Sequence, residues 1–127
     1  MALYLIRHTS PKIPEGVCYG RLDLDVSDTF PIEAQQVKRR IKKTYSKVIV
    51  SPLRRCLKLA EYLNTPFEVD SRIQEMDFGE WEGIPWSEIN PKEIDAWAND
   101  IVGYRVPGGE RFQDVIERVD EFLSELP

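Results

Sequence analysis

The chain holds a single histidine, His8, and its neighbours bear on what that residue does. It follows Arg7 at the end of an apolar run, Leu3-Tyr4-Leu5-Ile6. A second apolar run, Val48-Ile49-Val50, ends in Ser51-Pro52-Leu53-Arg54-Arg55. Ligands of open α/β sheets bind outside the carboxyl ends of the strands. If both runs are strands and parallel neighbours, Arg7, His8 and Arg55 meet at one sheet edge. Two guanidiniums neutralise the nonbridging oxygens of a phosphate, and an imidazole beside them is a nucleophile for phosphorus. A lone histidine is also commonly a packed or surface residue, so spacing alone leaves both readings open.

Other chemistries lack their residues. One histidine and two distant cysteines, Cys18 and Cys56, make no zinc ligand set. Neither a dinucleotide-binding glycine fingerprint nor a Gly-Lys phosphate loop occurs. Leu24 and Tyr62 stand where a cysteine-nucleophile phosphatase loop needs arginine. Asp23-Leu24-Asp25 has the alternation of aspartyl-phosphate phosphatases, but it follows the loop-like Cys18-Tyr19-Gly20-Arg21-Leu22 and not an apolar strand. Those carboxylates are expected to cap or to face solvent.

The elements that must position these residues follow from periodicity. Leu3–Ile6 and Val48–Val50 read as short buried strands, and Phe67-Glu68-Val69 is the candidate for a third strand. Ala34, Val37, Ile41 and Tyr45 recur at helical spacing behind Pro31 and Glu33. Leu53, Leu57, Ala60 and Leu63 mark a helix closed by Pro66. The Trp-rich, acidic stretch 72–101 mixes loop with short helices, one carrying Ile94, Trp97 and Ile101. A final amphipathic helix carries Phe112, Val115, Ile116, Val119, Phe122, Leu123 and Leu126. The alternation predicts an α/β layered fold with a mostly parallel sheet flanked by helices, in one domain over residues 1–127.

Composition bounds the partners. At 127 residues and 42% hydrophobic, the chain is expected to fold as one soluble domain. Its net charge of −5 argues against nonspecific nucleic-acid binding. Residues 1–64 carry 12 Lys/Arg against 6 Asp/Glu, whereas residues 65–127 carry 5 against 16, so the first half suits a small anion. The cluster Lys38–Lys47 reads as a solvated helix face. No apolar stretch is long enough to cross a membrane, and the start lacks a signal-peptide pattern. A cytoplasmic protein with two reduced thiols is expected.

Four ordered segments raise the phosphate reading. Leu-Ile-Arg7-His8-Thr9 resembles the Arg-His-Gly motif of the histidine phosphatase superfamily, the group that includes the phosphoglycerate mutases. Ser51-Pro-Leu-Arg-Arg55-Cys resembles its Ser-x-Leu-x-Arg segment, which implies Arg55 and not Arg54 as the phosphate arginine. Glu75-Met-Asp-Phe-Gly79-Glu-Trp81-Glu82-Gly83 is similar to the segment that opens with the proton-donating glutamate, and Pro107-Gly-Gly-Glu110 before a helix also fits. Arg-His-Thr-Ser-Pro together with Gly16-Val-Cys-Tyr-Gly20-Arg-Leu-Asp23 is most similar to the alpha-ribazole phosphatase branch.

The resemblance implies a phosphoglycerate mutase-like fold and a metal-independent, cofactor-free phosphomonoester hydrolase. His8 becomes a phosphohistidine, Arg7 and Arg55 bind the phosphoryl group, and Glu75 protonates the leaving oxygen. Tyr19 and Gly20 match a substrate-binding loop. The implied substrate is alpha-ribazole 5′-phosphate, in cobalamin lower-ligand assembly, or another small phosphate ester. Membrane and nucleic acid are not implied partners, and a homodimer is left open. A phosphate-binding regulatory protein without turnover and a mutase-type phosphotransferase are the alternatives. Three departures stand out: Thr9 replaces a glycine, Leu59 replaces a common threonine, and the family's second catalytic histidine has no counterpart before Pro127. The domain is therefore expected to be incomplete at its C-terminus.

Overall fold

Proline, charge and apolar spacing set the helices of the computed structural model, which describes residues 2–127. Helix α1 (Phe30–Arg40) starts with proline in its first turn and Glu33 there, and buries Ala34. Its last turn carries Lys38, Arg39 and Arg40, which suits the negative end of the helix dipole. The expected helix reached Tyr45; the observed one stops at Arg40, with Ile41 in extended conformation. Continuing it would set Lys38 above Lys42 and Arg39 above Lys43, like charges one turn apart. Strand β1 (Ile49–Val50) leads to helix α2 (Arg54–Leu63), which buries Arg55, Leu59 and Ala60. Asn64 ends α2 in the left-handed conformation at φ 54°, two residues before Pro66. Strand β2 (Glu68–Val69) follows and pairs with β1 in parallel, Ile49 opposite Glu68 and Val50 opposite Val69.

Beyond β2 come three short 3₁₀ turns, Ser71–Ile73, Gly79–Trp81 and Trp86–Glu88, then helices α3 (Pro91–Asn99) and α4 (Phe112–Ser124). Asn90 caps α3 by accepting the Lys92 N–H, and α3 ends before Ile101. Asp114 accepts the Arg111 N–H at 2.9 Å and its guanidinium at 2.7 Å at the start of α4. Those bonds hold the Asp114 carboxyl down at about 2.

The chain forms two compact units, residues 2–13, 23–71 and 127 in one and 14–22 with 72–126 in the other. The first contains α1, α2 and the two-stranded sheet. The second contains α3 and α4 around a core of Cys18, Met76, Trp81, Ile89 and Val106. Trp97 and Tyr104 pack on that core, with Tyr104 stacked on Trp81 at 6.2 Å and 24°. Both cysteines are free thiols, and burial pushes the Cys18 thiol up to about 12, so it is inert at neutral pH. Among the described residues no helix is long and apolar enough to cross a membrane.

One expected strand is absent. Leu3–Ile6 adopts no regular structure, and the partner of β1 is β2, not this segment. Its side chains are exposed, Leu5 at 89%, Leu3 at 57%, Ile6 at 46% and Tyr4 at 45%. A strand needs a hydrogen-bonding neighbour on its edge, and an apolar run does not supply one. Exposed apolar side chains with unpaired backbone favour association with other chains. The 127-residue polypeptide is expected to sediment as concentration-dependent multimers, with Leu5→Lys shifting it toward monomer. A monomer at every concentration up to the millimolar range would contradict this.

Candidate active site

His8 is half-buried, and its ring Nδ1 lies 2.6 Å from the Thr9 carbonyl oxygen. A carbonyl only accepts, so Nδ1 carries the hydrogen in this contact, and whenever the ring is neutral its lone pair lies on Nε2. The next residues are fastened from α1. Ser10 donates its N–H (3.1 Å) and its hydroxyl (2.9 Å) to Glu33 Oε1, while Thr29 donates to Oε2 at 2.5 Å. The Thr29 hydrogen bond, with those from Ser10 and the charge of His8, draws the Glu33 carboxyl below its ordinary value despite desolvation. Ser10 and Lys12 also bond across to Ser27 and Asp25, so the loop after His8 is held on two sides.

Arg55 is fully buried in the first turn of α2, and Arg7 is exposed. Buried Ser51 shapes the approach, its Oγ accepting the Leu53 N–H at 3.4 Å. The first turn of α2 contains no acid, and Arg54 and Arg55 stand there at the positive end of the helix dipole. The two arginine charges and the dipole favour an anion there, and the Arg54 amide already has one in Asp23. Asp23 and Asp25 are structural, as expected. Asp23 accepts the Arg54 N–H at 2.6 Å, and Asp25 pairs with Lys58 at 2.5 Å.

The other three candidates lie in the second unit. Glu75 is exposed, and its Oε1 accepts the N–H of Met76 at 3.0 Å. Tyr19 is half-buried and Gly20 buried. A Cβ on Gly20 would lie 2.0 Å from the Met76 carbonyl oxygen, so only glycine fits. Thus Arg7, His8 and Arg55 share one unit, and Tyr19, Gly20 and Glu75 share the other.

Glu82 was not singled out by its sequence position, yet it organises the second group. Its carboxylate accepts the N–H of Gly20 (2.7 Å), Arg21 (2.9 Å), Leu22 (2.8 Å) and Phe78 (3.2 Å). Its only sequence signal is its place in the Glu75–Gly83 segment. Glu82→Ala removes the acceptor of four amides, three of them partly buried and that of Leu22 exposed. Each costs about 1–3 kcal/mol when fully buried; water reaches some of these, so the expected loss is about 2–4 kcal/mol. Urea unfolding measures it, and a loss below about 0.5 kcal/mol would show that water replaces the carboxylate.

With the fold and these residues in view, the class is plain. Residues 3–127 match the model of the histidine phosphatase superfamily (branch 1), and the chain belongs to that family. A Hydrogenobacter thermophilus protein provisionally named phosphoserine phosphatase 2 is 34% identical over 133 residues, covering 98% of this chain and 66% of its own length. The solved structure of a mycobacterial glucosyl-3-phosphoglycerate phosphatase matches with a TM-score of 0.81 at 26% identity, over 94% of this chain and 60% of that one. An Escherichia coli K-12 structure, provisionally described as an alpha-ribazole-5′-P phosphatase, has the same fold, with a TM-score of 0.84 at 24% identity, over 95% and 64%. The chain spans 66% and 63% of the length of two Hydrogenobacter thermophilus relatives, and less than a third of several larger ones.

Proposed function

We propose that this chain belongs to a phosphomonoester hydrolase that works through a phosphohistidine at His8. The observation that carries the reading is the 2.6 Å contact from His8 Nδ1 to the Thr9 carbonyl. In the neutral ring this contact supports the tautomer with the electron pair on Nε2, as a nitrogen nucleophile requires. Nε2 attacks phosphorus and the ester P–O bond breaks. The leaving oxygen takes a proton from the Glu75 carboxyl and departs as the alcohol. Water then gives its proton to Glu75 and attacks phosphorus, the P–N bond breaks, and inorganic phosphate leaves. Arg7 and Arg55 hold the charge spread over the three peripheral oxygens. Tyr19 and Gly20 contact the alcohol portion of the substrate. No step draws on a metal or cofactor.

The relatives are named for small phosphate esters, which supports that substrate class. Poor alcohol leaving groups are the ones that need a general acid, and Glu75 is the acid in the matching motif. Within the class, the Tyr-Gly-Arg-Leu loop favours alpha-ribazole 5′-phosphate, which would place the protein in the cytoplasm and in cobalamin assembly. The test is inorganic phosphate release from alpha-ribazole 5′-phosphate, phosphoserine and glucosyl-3-phosphoglycerate, with and without a metal chelator. Release fastest from the first, and insensitive to chelator, is expected. Tight binding of all three without release would favour a regulatory phosphate-binding protein.

A further inference from the structure

Glu75 is exposed, but the backbone that carries it is tied down from two other segments. Arg21 Nε donates to the Glu75 carbonyl at 3.2 Å, and an Arg118 amino group from α4 donates to the same oxygen at 3.3 Å. Arg118 also donates to the Arg72 carbonyl at 2.6 Å. Both guanidiniums are held by one carboxylate. Glu110 pairs with Arg21 at 3.0 Å and with Arg118 Nε at 3.0 Å. It accepts the Asp77 N–H at 2.9 Å, and its own N–H donates to the Asp77 carbonyl at 2.9 Å. The side chains are only 20% (Glu110), 17% (Arg118) and 32% (Arg21) exposed, so screening is reduced relative to a surface pair. Burial raises the Glu110 carboxyl, but the Arg118 and Asp77 hydrogen bonds and the two positive charges outweigh it, so it titrates below its ordinary value.

We propose that Glu110, Arg118 and Arg21 form a positioning clamp for Glu75, fixing residues 75–77 so that the acid's carboxyl keeps one placement. The proposal rests on the reading of Glu75 as the leaving-group acid. None of the three clamp residues is assigned a part in the chemistry; they act through the Glu75 backbone. A proton donor displaced by about 1 Å costs on the order of 10²-fold, and the cost falls on substrates that need the proton. A fold merely loosened by the same substitution would slow all substrates alike.

The experiment compares kcat for an alkyl and an aryl phosphate in the chain expressed whole from its gene. The variants are Glu110→Gln, Arg21→Lys and Glu75→Gln, with Glu110→Gln also placed in the Glu75→Gln background. Glu110→Gln is expected to lower alkyl-phosphate kcat by roughly 10–10²-fold and aryl-phosphate kcat by no more than about 3-fold. In the Glu75→Gln background it should add little, because both changes act on one step. Arg21→Lys retains the charge but loses the Nε contact, and it should reproduce the same leaving-group pattern more weakly if Glu110→Gln fails to fold. Equal losses on both esters, or additivity with Glu75→Gln, would overturn the clamp while leaving the acid intact. A Glu75→Gln variant without leaving-group dependence, or a parent that cleaves neither ester, would overturn the acid reading and the clamp with it.

Discussion

Replacing His8 with alanine is expected to reduce turnover by roughly 10⁴–10⁶-fold, on aryl and alkyl phosphates alike, because loss of a nucleophile removes the pathway and not one stabilising contact. The side chain is only half-buried, so the loss of stability should be modest. Urea unfolding should show a change within about 1 kcal/mol. His8→Asn is a useful companion, since its amide can still donate to the Thr9 carbonyl but offers no ring nitrogen to attack phosphorus. It should be as inactive as alanine. Activity within about tenfold of the parent in either variant would remove His8 from the chemistry.

Arg55→Ala is the second large effect. Arg55 is fully buried in the first turn of α2, and Arg54 beside it is exposed. Losing one charged donor to a developing phosphoryl charge costs on the order of 10²–10³-fold, and up to about 10⁵-fold for an arginine that meets the transferred group directly. Arg54→Ala should cost less than about threefold, since Arg54 meets Asp23 through its backbone N–H, which alanine retains. The pair separates a specific phosphate arginine from a general basic field. Equal losses at both positions would favour the field. Phosphate binding, followed by calorimetry, should weaken for Arg55→Ala in parallel with kcat/KM.

How much of this was legible beforehand depends on where each interaction comes from. Helix α2 was readable because Leu53, Leu57, Ala60 and Leu63 repeat on one face and Pro66 closes it. Its C-terminal stop adds Asn64, one of the few residue types that enters the left-handed region readily. The start of α1 was readable from Pro31 and Glu33, but its end was not. The like charges that end it were read as a solvated helix face and not as a reason for the helix to stop. Strand β2 was legible in Phe67-Glu68-Val69, although its pairing with β1 was not.

Leu3–Ile6 shows the limit of apolar patterning. Its composition is that of a strand, but pairing is decided by what lies beside it, which the local sequence does not contain. His8 and Arg55 stand out as the residues that follow apolar runs, although the first run forms no strand, whereas Glu75 stands among many acids and is marked only by its motif. Glu82 and Glu110 were overlooked as individual residues for a related reason. Glu82 bonds residues 62, 61 and 60 positions away, and Glu110 meets Arg21 across 89 positions. No local pattern encodes such contacts. Glu33 marks the first turn of α1 in the sequence, and its bonds to Ser10 give it a second role.

The covalent intermediate tests the central claim most directly. The chain expressed whole from its gene is mixed with an aryl phosphate, quenched in alkali within milliseconds to preserve a phosphoramidate, digested, and analysed by mass spectrometry. A phosphate on the peptide containing His8, labile to acid, stable to alkali and absent from His8→Ala, is the expected result. Steady release of inorganic phosphate with no modified His8 at any quench time, or with the phosphate on an aspartate, would contradict it.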